Sequence, residues 1–296
     1  MSNLKIIQKR KIWLTLSSIL VILSIAAIAV WRLNFGIDFT GGSLLEVEFS
    51  DQRPTSAQVQ EALADFGLNS LSIQATDNNG LILRFQEVSE QTHQEILEKI
   101  NILSTSEELR FDAIGPAIGE ELKRKSILAI IFVLIAIVLY IAWAFRKVSK
   151  PISSWKYGIV AIIALFHDVI ITIGVFSILG KFYGIEVNTP FVAAILTVLG
   201  YSVNDTIVVF DRIRENLIKT SEDFETTVNN SINQTLRRSL YTSFTTLLVL
   251  VSIIVFGGAT IRDFVLALSI GVFIGTYSSI FLASPILVVW EKIAKK

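Results

Sequence analysis

Six long apolar runs dominate this 296-residue chain and restrict what it can fold into. Each is long enough, or nearly so, to cross a hydrocarbon layer about 30 Å thick as a helix. The runs occupy residues 13–31, 127–145, 157–180, 187–210, 239–261 and 264–290. Because little more than Arg262 and Asp263 separates the last two, we expect a tight turn there, and Phe256-Gly257-Gly258 is a break suited to that turn. The first run is too long for a signal-peptide core, and no A-x-A-like site follows it, so we predict that it stays in the membrane.

Charge is distributed unevenly along the chain and predicts its orientation. The short segments on one side of the membrane hold many basic residues, whereas those on the other hold only Lys181 and Arg262. By the positive-inside rule, both termini and the 211–240 loop are cytoplasmic. The basic residues are Lys5, Lys9, Arg10, Lys11, Arg146, Lys147, Lys150, Lys156, Arg212, Arg214, Lys219, Arg237, Arg238, Lys292, Lys295 and Lys296.

The segment 35–122 reads as an extracytoplasmic domain. It holds sixteen acidic and four basic residues between positions 38 and 121, which argues against nucleic-acid binding. Strand patterns at 43–50, 70–76, 81–86 and 108–114 alternate with helical patterns that open at Pro54 and span 89–103. The residues at 77–80 indicate a hairpin turn. The order βαββαβ predicts an α+β ferredoxin-like fold, in which His93 lies on a polar helix face at the surface.

The two connections between this domain and the membrane helices carry glycine and proline. Gly36, Gly41 and Gly42 permit sharp turns beside Asp38. Gly115 and Pro116 open a helix that runs into the second apolar run. We interpret the two segments as hinges that could carry movement to the domain, although passive linkers would have the same composition.

Asp168, preceded by His167, lies about ten residues from either end of the third run and therefore near the bilayer midplane. A charge at that depth costs several kcal/mol. A midplane carboxylate that changes protonation state is typical of proton-driven transport, and His167 is a candidate second proton carrier. The alternatives are that Asp168 is a neutral structural hydrogen-bonding group and His167 merely a packed polar residue.

The fourth run carries further ionisable groups toward the cytoplasm. Asp205 and Asp211 extend the predicted proton path, and Asn204 can donate and accept hydrogen bonds within it. Arg212 and Arg214 could act as charge partners or gates, although the positive-inside rule alone explains them. We predict a separate cytoplasmic helix at 221–240, and we assign Gly271-x-x-x-Gly275, with Ser278 and Ser279, to helix packing.

The chain has no cysteine, and no nucleophile–base pair, metal cluster or P-loop stands out in it. Thiol catalysis and direct use of ATP are therefore disfavoured, and we do not expect an enzyme or a bound cofactor.

Several motifs together resemble the SecF family. They are FGIDFTGG at 35–42, the GPxxGEEL pattern at 115–122, HDVIITIG at 167–174, GYSVNDTIVVFDRIREN at 200–216 and FGG at 256–258. The resemblance covers essentially the whole chain. It implies an RND-superfamily half, a membrane all-α six-helix bundle (1–34 and 123–296) with the 35–122 domain inserted, in the bacterial inner membrane.

The resemblance also implies partners and a role. SecF proteins associate with SecD, the SecYEG channel and YajC. They use the proton motive force to complete export after SecA has driven the polypeptide. It further implies a proton-passage role for Asp168 and maps the helix 4 motif onto Asn204, Asp205, Asp211, Arg212 and Arg214. The chain has no arginine deep in helix 4, so an ionic partner of Asp168 would come from another helix or subunit.

These features lead to one mechanistic hypothesis and two alternatives. In the hypothesis, proton occupancy of Asp168 alters the packing of helices 3 and 4, and the hinges convey the change to the outer domain. The first alternative is an RND-like exporter of small molecules or lipids. The second is a non-transporting membrane scaffold whose buried aspartates serve packing.

Overall fold

A computed structural model describes residues 4–68, 71–76, 79–144 and 154–294 of the chain. These residues are mostly helical, with one small antiparallel sheet. In chain order the elements are α1 (Arg10–Trp31), α2 (Ile37–Thr40), β1 (Gly42–Phe49), α3 (Ser56–Ala62), β2 (Ser72–Ala75), β3 (Gly80–Phe85), α4 (Glu90–Leu103), β4 (Ser106–Ile114), α5 (Pro116–Ala144), α6 (Ser154–Tyr183), α7 (Thr189–Lys219), α8 (Phe224–Phe256), α9 (Ala259–Ser278), a π-helical segment (Ser279–Ala283) and α10 (Ser284–Ala294).

The chain forms two compact units. One comprises Met1–Asn34, Leu128–Ile185 and Pro190–Lys296, and the other comprises Phe35–Ile127 and Glu186–Thr189. The second unit extends to Ile127, inside α5, and so includes the 35–122 range that was assigned to the α+β domain from the sequence. It also includes Glu186–Thr189, the later part of the connection between α6 and α7 and the first residue of α7.

Six helical spans in the described residues are long and apolar enough to cross a membrane. They are buried to very different degrees within the chain. In α6, 56% of the most apolar stretch is buried, whereas in α5 only 6% is. The interior of the bundle therefore centres on α6 and its neighbours, and the apolar surface of α5 is left for lipid or another subunit.

Small residues allow the helices of the bundle to approach closely. A Cβ added at Gly271 would lie 2.1 Å from Val198 Cγ2, and one added at Gly174 would lie 2.4 Å from Ser24 Cβ. Neither position has room for a larger side chain without movement of the neighbouring helix. Close approach of this kind lets dispersion forces and short hydrogen bonds hold membrane helices together.

The α+β domain is built on a four-stranded sheet with the strand order β2–β3–β1–β4, in which every neighbouring pair is antiparallel. Leu45, Val47 and Phe49 alternate along β1 and face a core that Val59 of α3 and Ile96 of α4 complete. The helices begin at capped ends. Thr55 and Gln58 form a capping box at α3, and Ser89 accepts a hydrogen bond from the Thr92 N–H at α4.

The prediction that His93 is a surface residue is wrong. Its side chain is 3% exposed, and its ring stacks on Phe111 of β4 with the centroids 3.6 Å apart. Nδ1 lies 3.2 Å from Glu90 Oε1, and Nε2 lies 3.5 Å from Glu108 Oε2. The polar neighbours of His93 on the helix concealed that this position packs against the sheet.

Two predicted helix boundaries are also wrong. The turn between the last two spans lies at Gly257 and Gly258, where FGG had indicated a break, so Arg262 and Asp263 fall inside α9. The predicted 221–240 helix is the first part of α8, which continues without a break to Phe256. Asp223 caps α8, and hydrogen bonds from the Thr226 hydroxyl and backbone N–H lower the pKa of this carboxyl.

Some predictions concern residues outside the described ranges. They are part of the 77–80 turn, the last residue of the second apolar run at 145, and the basic residues Arg146, Lys147, Lys150, Lys295 and Lys296.

Candidate functional site

Asp168 is a buried carboxylate at the centre of α6. Its side chain has no exposed surface. Oδ2 accepts hydrogen bonds from the hydroxyls of Ser202 on α7, at 2.5 Å, and Ser278 at the end of α9, at 2.8 Å. The group is therefore held by hydroxyls from two other helices.

His167 contacts the other oxygen of the Asp168 carboxylate. Its Nδ1 lies 2.9 Å from Asp168 Oδ1, and the ring is stacked at 6.1 Å from Tyr277. Nε2 is buried and has no hydrogen-bond partner among the described residues. His167 is thus the ionisable group in contact with Asp168, and it comes from the same helix.

Asp205 forms a second, partly buried carboxylate site on α7. Ser239 of α8 donates to Oδ1, and Ser279 of the π-helical segment donates to Oδ2. The guanidinium of Arg238, one residue before Ser239, interacts electrostatically with this carboxylate. Asp168 and Asp205 therefore have the same kind of environment, with two serine hydroxyls each.

The other predicted members of the path lie elsewhere. Asp211 pairs with Arg214 at 2.6 Å, and Arg212 pairs with Glu215 at 2.6 Å, all within the last turns of α7. Asn204 is exposed on the surface of the chain. Thus Asp168, His167 and Asp205 lie among the same helices, whereas Asp211 and the two arginines form local pairs nearer the end of α7.

The residues that hold the carboxylates were not predicted from the sequence to do so, and Ser278 and Ser279 were assigned to helix packing alone. The full set is Ser202, Ser239, Ser278 and Ser279, together with Arg238 as a charge partner of Asp205. The available signals were weak. Ser202 precedes Asp205 by three residues on the same helix, and the Ser278-Ser279 pair follows Gly275 at helical spacing. Serines are common at packed membrane-helix contacts, so only the positions of the neighbouring helices distinguish these four.

This arrangement can hold a carboxyl group in either protonation state. A hydroxyl donates to a charged carboxylate and can accept from a protonated one. Among the described residues, no group of three or more histidines and carboxylates is placed to hold a metal ion. A carboxyl group in such surroundings is able to bind and release a proton.

The predicted hinge residues are closely packed in the second unit. Gly41 and Gly42 have φ of +73° and +122°. A Cβ on Gly41 would lie 2.8 Å from Pro116 Cα, and one on Gly42 would lie 2.7 Å from Phe85 O. A Cβ on Gly115 would lie 3.5 Å from Glu87 Oε2. The two predicted hinges therefore contact each other.

The connection between α6 and α7 is joined to the same segments. The Gly36 N–H donates to Val187 O at 2.9 Å, and the Thr189 N–H donates to Asp38 Oδ2 at 2.7 Å. Glu186 forms an ion pair with Arg84 of β3. We refer to residues 35–42, 115–119 and 186–189 together as the joint.

Comparisons with known proteins agree on one family. The family model for "Protein export membrane protein SecD/SecF, C-terminal" matches residues 92–293, and that for "SecD/SecF GG Motif" matches residues 27–52. Two relatives named protein translocase subunit SecF are similar over most of their length. The one from Thermobaculum terrenum is 44% identical, with 97% of this chain and 93% of the relative covered. The one from Anaerolinea thermophila is 41% identical, with 97% and 94% covered.

The structure resembles the crystal structure of SecDF, a translocon-associated membrane protein from Thermus thermophilus, with a TM-score of 0.87 and 32% sequence identity. The match covers 98% of this chain but only 39% of that protein. These relatives are named as subunits of a transport machine, and the apolar helices are those of a multi-pass membrane protein. The chain therefore belongs to the SecF family of protein translocase subunits.

Proposed function

We propose that this chain acts with SecD in protein export across the bacterial cytoplasmic membrane and that proton passage through Asp168 drives a movement of its α+β domain. The observation that carries the proposal is the pair of carboxylates inside the bundle, each held by two serine hydroxyls from other helices. An aspartate with a purely structural role needs hydrogen-bond partners for only one protonation state. The serine hydroxyls here can donate to a charged carboxylate and accept from a protonated one. In SecDF, the region that resembles this chain belongs to a longer polypeptide. The presence of both regions in one protein supports SecD as the partner of this chain.

The energy available to such a device is adequate. A membrane potential of 100 mV supplies about 2.3 kcal/mol per elementary charge moved across the bilayer. A difference of that size changes a two-state equilibrium by a factor of about 50. A single proton per cycle can therefore bias the position of a domain without any ATP site in the chain.

The joint is the proposed route from the bundle to the domain. Asp168 lies on α6 and Asp205 on α7, and the connection between these helices hydrogen-bonds to the segment that precedes β1. A change in the packing of α6 against α7 would move this connection and the glycine-rich segments with it. This proposal includes a hinge role for Gly36, Asp38, Gly41, Gly42, Gly115 and Pro116. It also includes a ferredoxin-like classification of the α+β domain, and the observed strand order supports that classification.

The remaining partners follow from the family. In this proposal, the domain faces outward and holds polypeptide emerging from the SecYEG channel after SecA has acted, with YajC as a further subunit. The coupling ion is the proton, with no other cofactor. His167 and Asp205 would extend the path from Asp168, whereas Asn204, Asp211, Arg212 and Arg214 would act at its cytoplasmic end.

Proton flux in proteoliposomes tests the role of Asp168. The vesicles contain this chain with its SecD partner and a translocating preprotein. We expect Asp168→Asn to lower proton flux at least tenfold, because an amide cannot bind and release a proton. Asp65→Asn is the matched control, since Asp65 is an exposed carboxylate outside the membrane-spanning helices and outside the proposed proton path. Equal flux in the wild type and in assembled Asp168→Asn would refute the proposal and favour a packing role.

A further inference from the structure

Two consecutive serines at the end of α9 contact different carboxylates. Ser278 donates to Asp168, and Ser279 donates to Asp205. Both serines have no exposed surface. Successive residues of a helix point about 100° apart, so a neighbouring pair can reach two separate sites on two sides of the helix.

The backbone at these serines departs from α-helical geometry. Residues Ser279–Ala283 form a π-helical segment between α9 and α10. Single π-helical turns are rare within long helices and occur frequently at functional sites, since the wider turn redirects the side chains that follow. The departure begins at the serine that contacts Asp205.

Each of the two hydroxyls has a second acceptor in the preceding turn. Ser278 Oγ lies 3.1 Å from Gly275 O, and Ser279 Oγ lies 3.1 Å from Thr276 O. A hydroxyl has a single proton, so it donates to the carboxylate or to the carbonyl. When the carboxyl binds a proton it becomes the donor, and the serine can turn its own proton to the carbonyl. The only new covalent bond is the O–H of the carboxyl group.

The two sites also share helices. Ser202, which donates to Asp168, lies on α7 three residues before Asp205. Within the described residues, the ionisable neighbours are His167 at Asp168 and Arg238 at Asp205. Neither contacts the opposite carboxylate, so the charged groups do not themselves bridge the two sites.

We propose that Ser278 and Ser279 are positioning residues that couple the protonation of Asp168 to that of Asp205 through the junction between α9 and the π-helical segment. The inference rests on the proposed proton passage. Protonation at either carboxylate changes the hydrogen bonding of carbonyls in the same turn, those of Gly275 and Thr276. A change at one site therefore alters the position of the hydroxyl available to the other.

The test measures proton flux against pH in the complex with SecD for Ser278→Ala, Ser279→Ala and the double variant. We expect each single substitution to move the midpoint of the profile by about one unit to higher pH, a tenfold change in proton affinity, because the charged carboxylate loses a donor. Coupling predicts that the shift of the double variant differs from the sum of the single shifts by more than about 0.4 unit.

Ser269→Ala is the matched control. Ser269 lies on the same helix and donates to Val265 O, so its removal should leave the midpoint unchanged. Ser278→Thr and Ser279→Thr retain a hydroxyl and should restore the midpoint in complexes that co-purify with SecD. Should an alanine variant fail to assemble, the midpoint of its threonine counterpart is compared with that of Ser269→Ala instead. Equal midpoints support the inference, and a shifted midpoint in an assembled threonine variant overturns it.

Asp168→Asn in the same assay separates the inference from the proposed function. Undiminished flux in Asp168→Asn would refute both. Flux lost in Asp168→Asn, with wild-type midpoints or additive shifts in assembled serine variants, would refute only the coupling. Shifted and non-additive midpoints together with loss of flux in Asp168→Asn would support both.

Discussion

At the scale of single residues, the position of Ser202 depends on the absence of a side chain at Gly275. A Cβ at Gly275 would lie 2.9 Å from Ser202 Cβ and 3.2 Å from its Oγ. The glycine therefore allows α9 to come close enough to α7 for Ser202 and Ser278 to reach the same oxygen of Asp168. The pair Gly271 and Gly275 thus serves the site as well as the packing of the helices.

We expect Gly275→Ala to destabilise the chain by about 1–3 kcal/mol, because the added methyl group overpacks the contact with Ser202. The melting temperature of the purified complex, followed by intrinsic tryptophan fluorescence, measures this effect. Gly200→Ala is the control, since a Cβ there meets nothing within 4 Å and alanine favours a helix. Equal melting temperatures for the two variants would show that the contact can relax.

At the scale of elements, hydropathy and periodicity predicted much of the fold. The four strands and both long helical patterns of the α+β domain lie within a few residues of the predicted positions, because alternation and helical spacing report which face is buried. The break predicted at Phe256-Gly257-Gly258 is the observed α8–α9 turn, whereas the charged pair Arg262 and Asp263, which had been taken to separate the two spans, lies inside α9.

The candidate site was predictable only in part. A carboxylate inside an apolar run is conspicuous in a sequence, so Asp168 and Asp205 were identified. Their serine partners were not, since a serine on an apolar helix reveals its role only when the neighbouring helix is known. The burial of His93 was missed because its polar neighbours on α4 conceal that its ring packs against Phe111 of β4.

The joint provides a prediction at this scale. Removal of the charge in Glu186→Gln weakens the ion pair with Arg84, and both side chains are less than one-fifth exposed. We expect a loss of about 1 kcal/mol of local stability, which corresponds to roughly fivefold faster hydrogen exchange in peptides that span residues 184–192.

Glu61→Gln supplies the comparison for the joint, because Glu61 is an exposed glutamate on α3 of the same unit. Its exchange at 184–192 should match that of the wild type. If Glu186→Gln also left this exchange unchanged, the hydrogen bonds from the Gly36 N–H to Val187 O and from the Thr189 N–H to the Asp38 carboxylate would be sufficient to hold the connection.

At the scale of the whole molecule, several helices leave apolar surface uncovered. Ile135, Leu139 and Trp143 of α5 are each at least half exposed, as are Phe244 and Leu248 of α8. Such residues face lipid or another subunit in a membrane protein. The large share of SecDF that this chain does not cover is consistent with the second possibility for at least one of these surfaces.

The predicted orientation can be measured directly, because the chain has no cysteine. We expect a cysteine at Glu61 to react with a membrane-impermeant maleimide in intact spheroplasts, and a cysteine at Ser221 to react only after lysis. Both positions are exposed, so a difference in labelling reports the side of the membrane. Labelling of Ser221→Cys in intact cells would reverse the assignment of the termini.

The joint also has a consequence for how sequences of this kind can diverge. Surface connections usually accept insertions and deletions over evolutionary time. Between Tyr183 and Thr189, however, Val187 is bonded to Gly36 and Thr189 to Asp38, so one added residue would break one of these bonds. We therefore expect the length of the α6–α7 connection to be invariant among related chains, while length differences accumulate in the loops between α3 and β3.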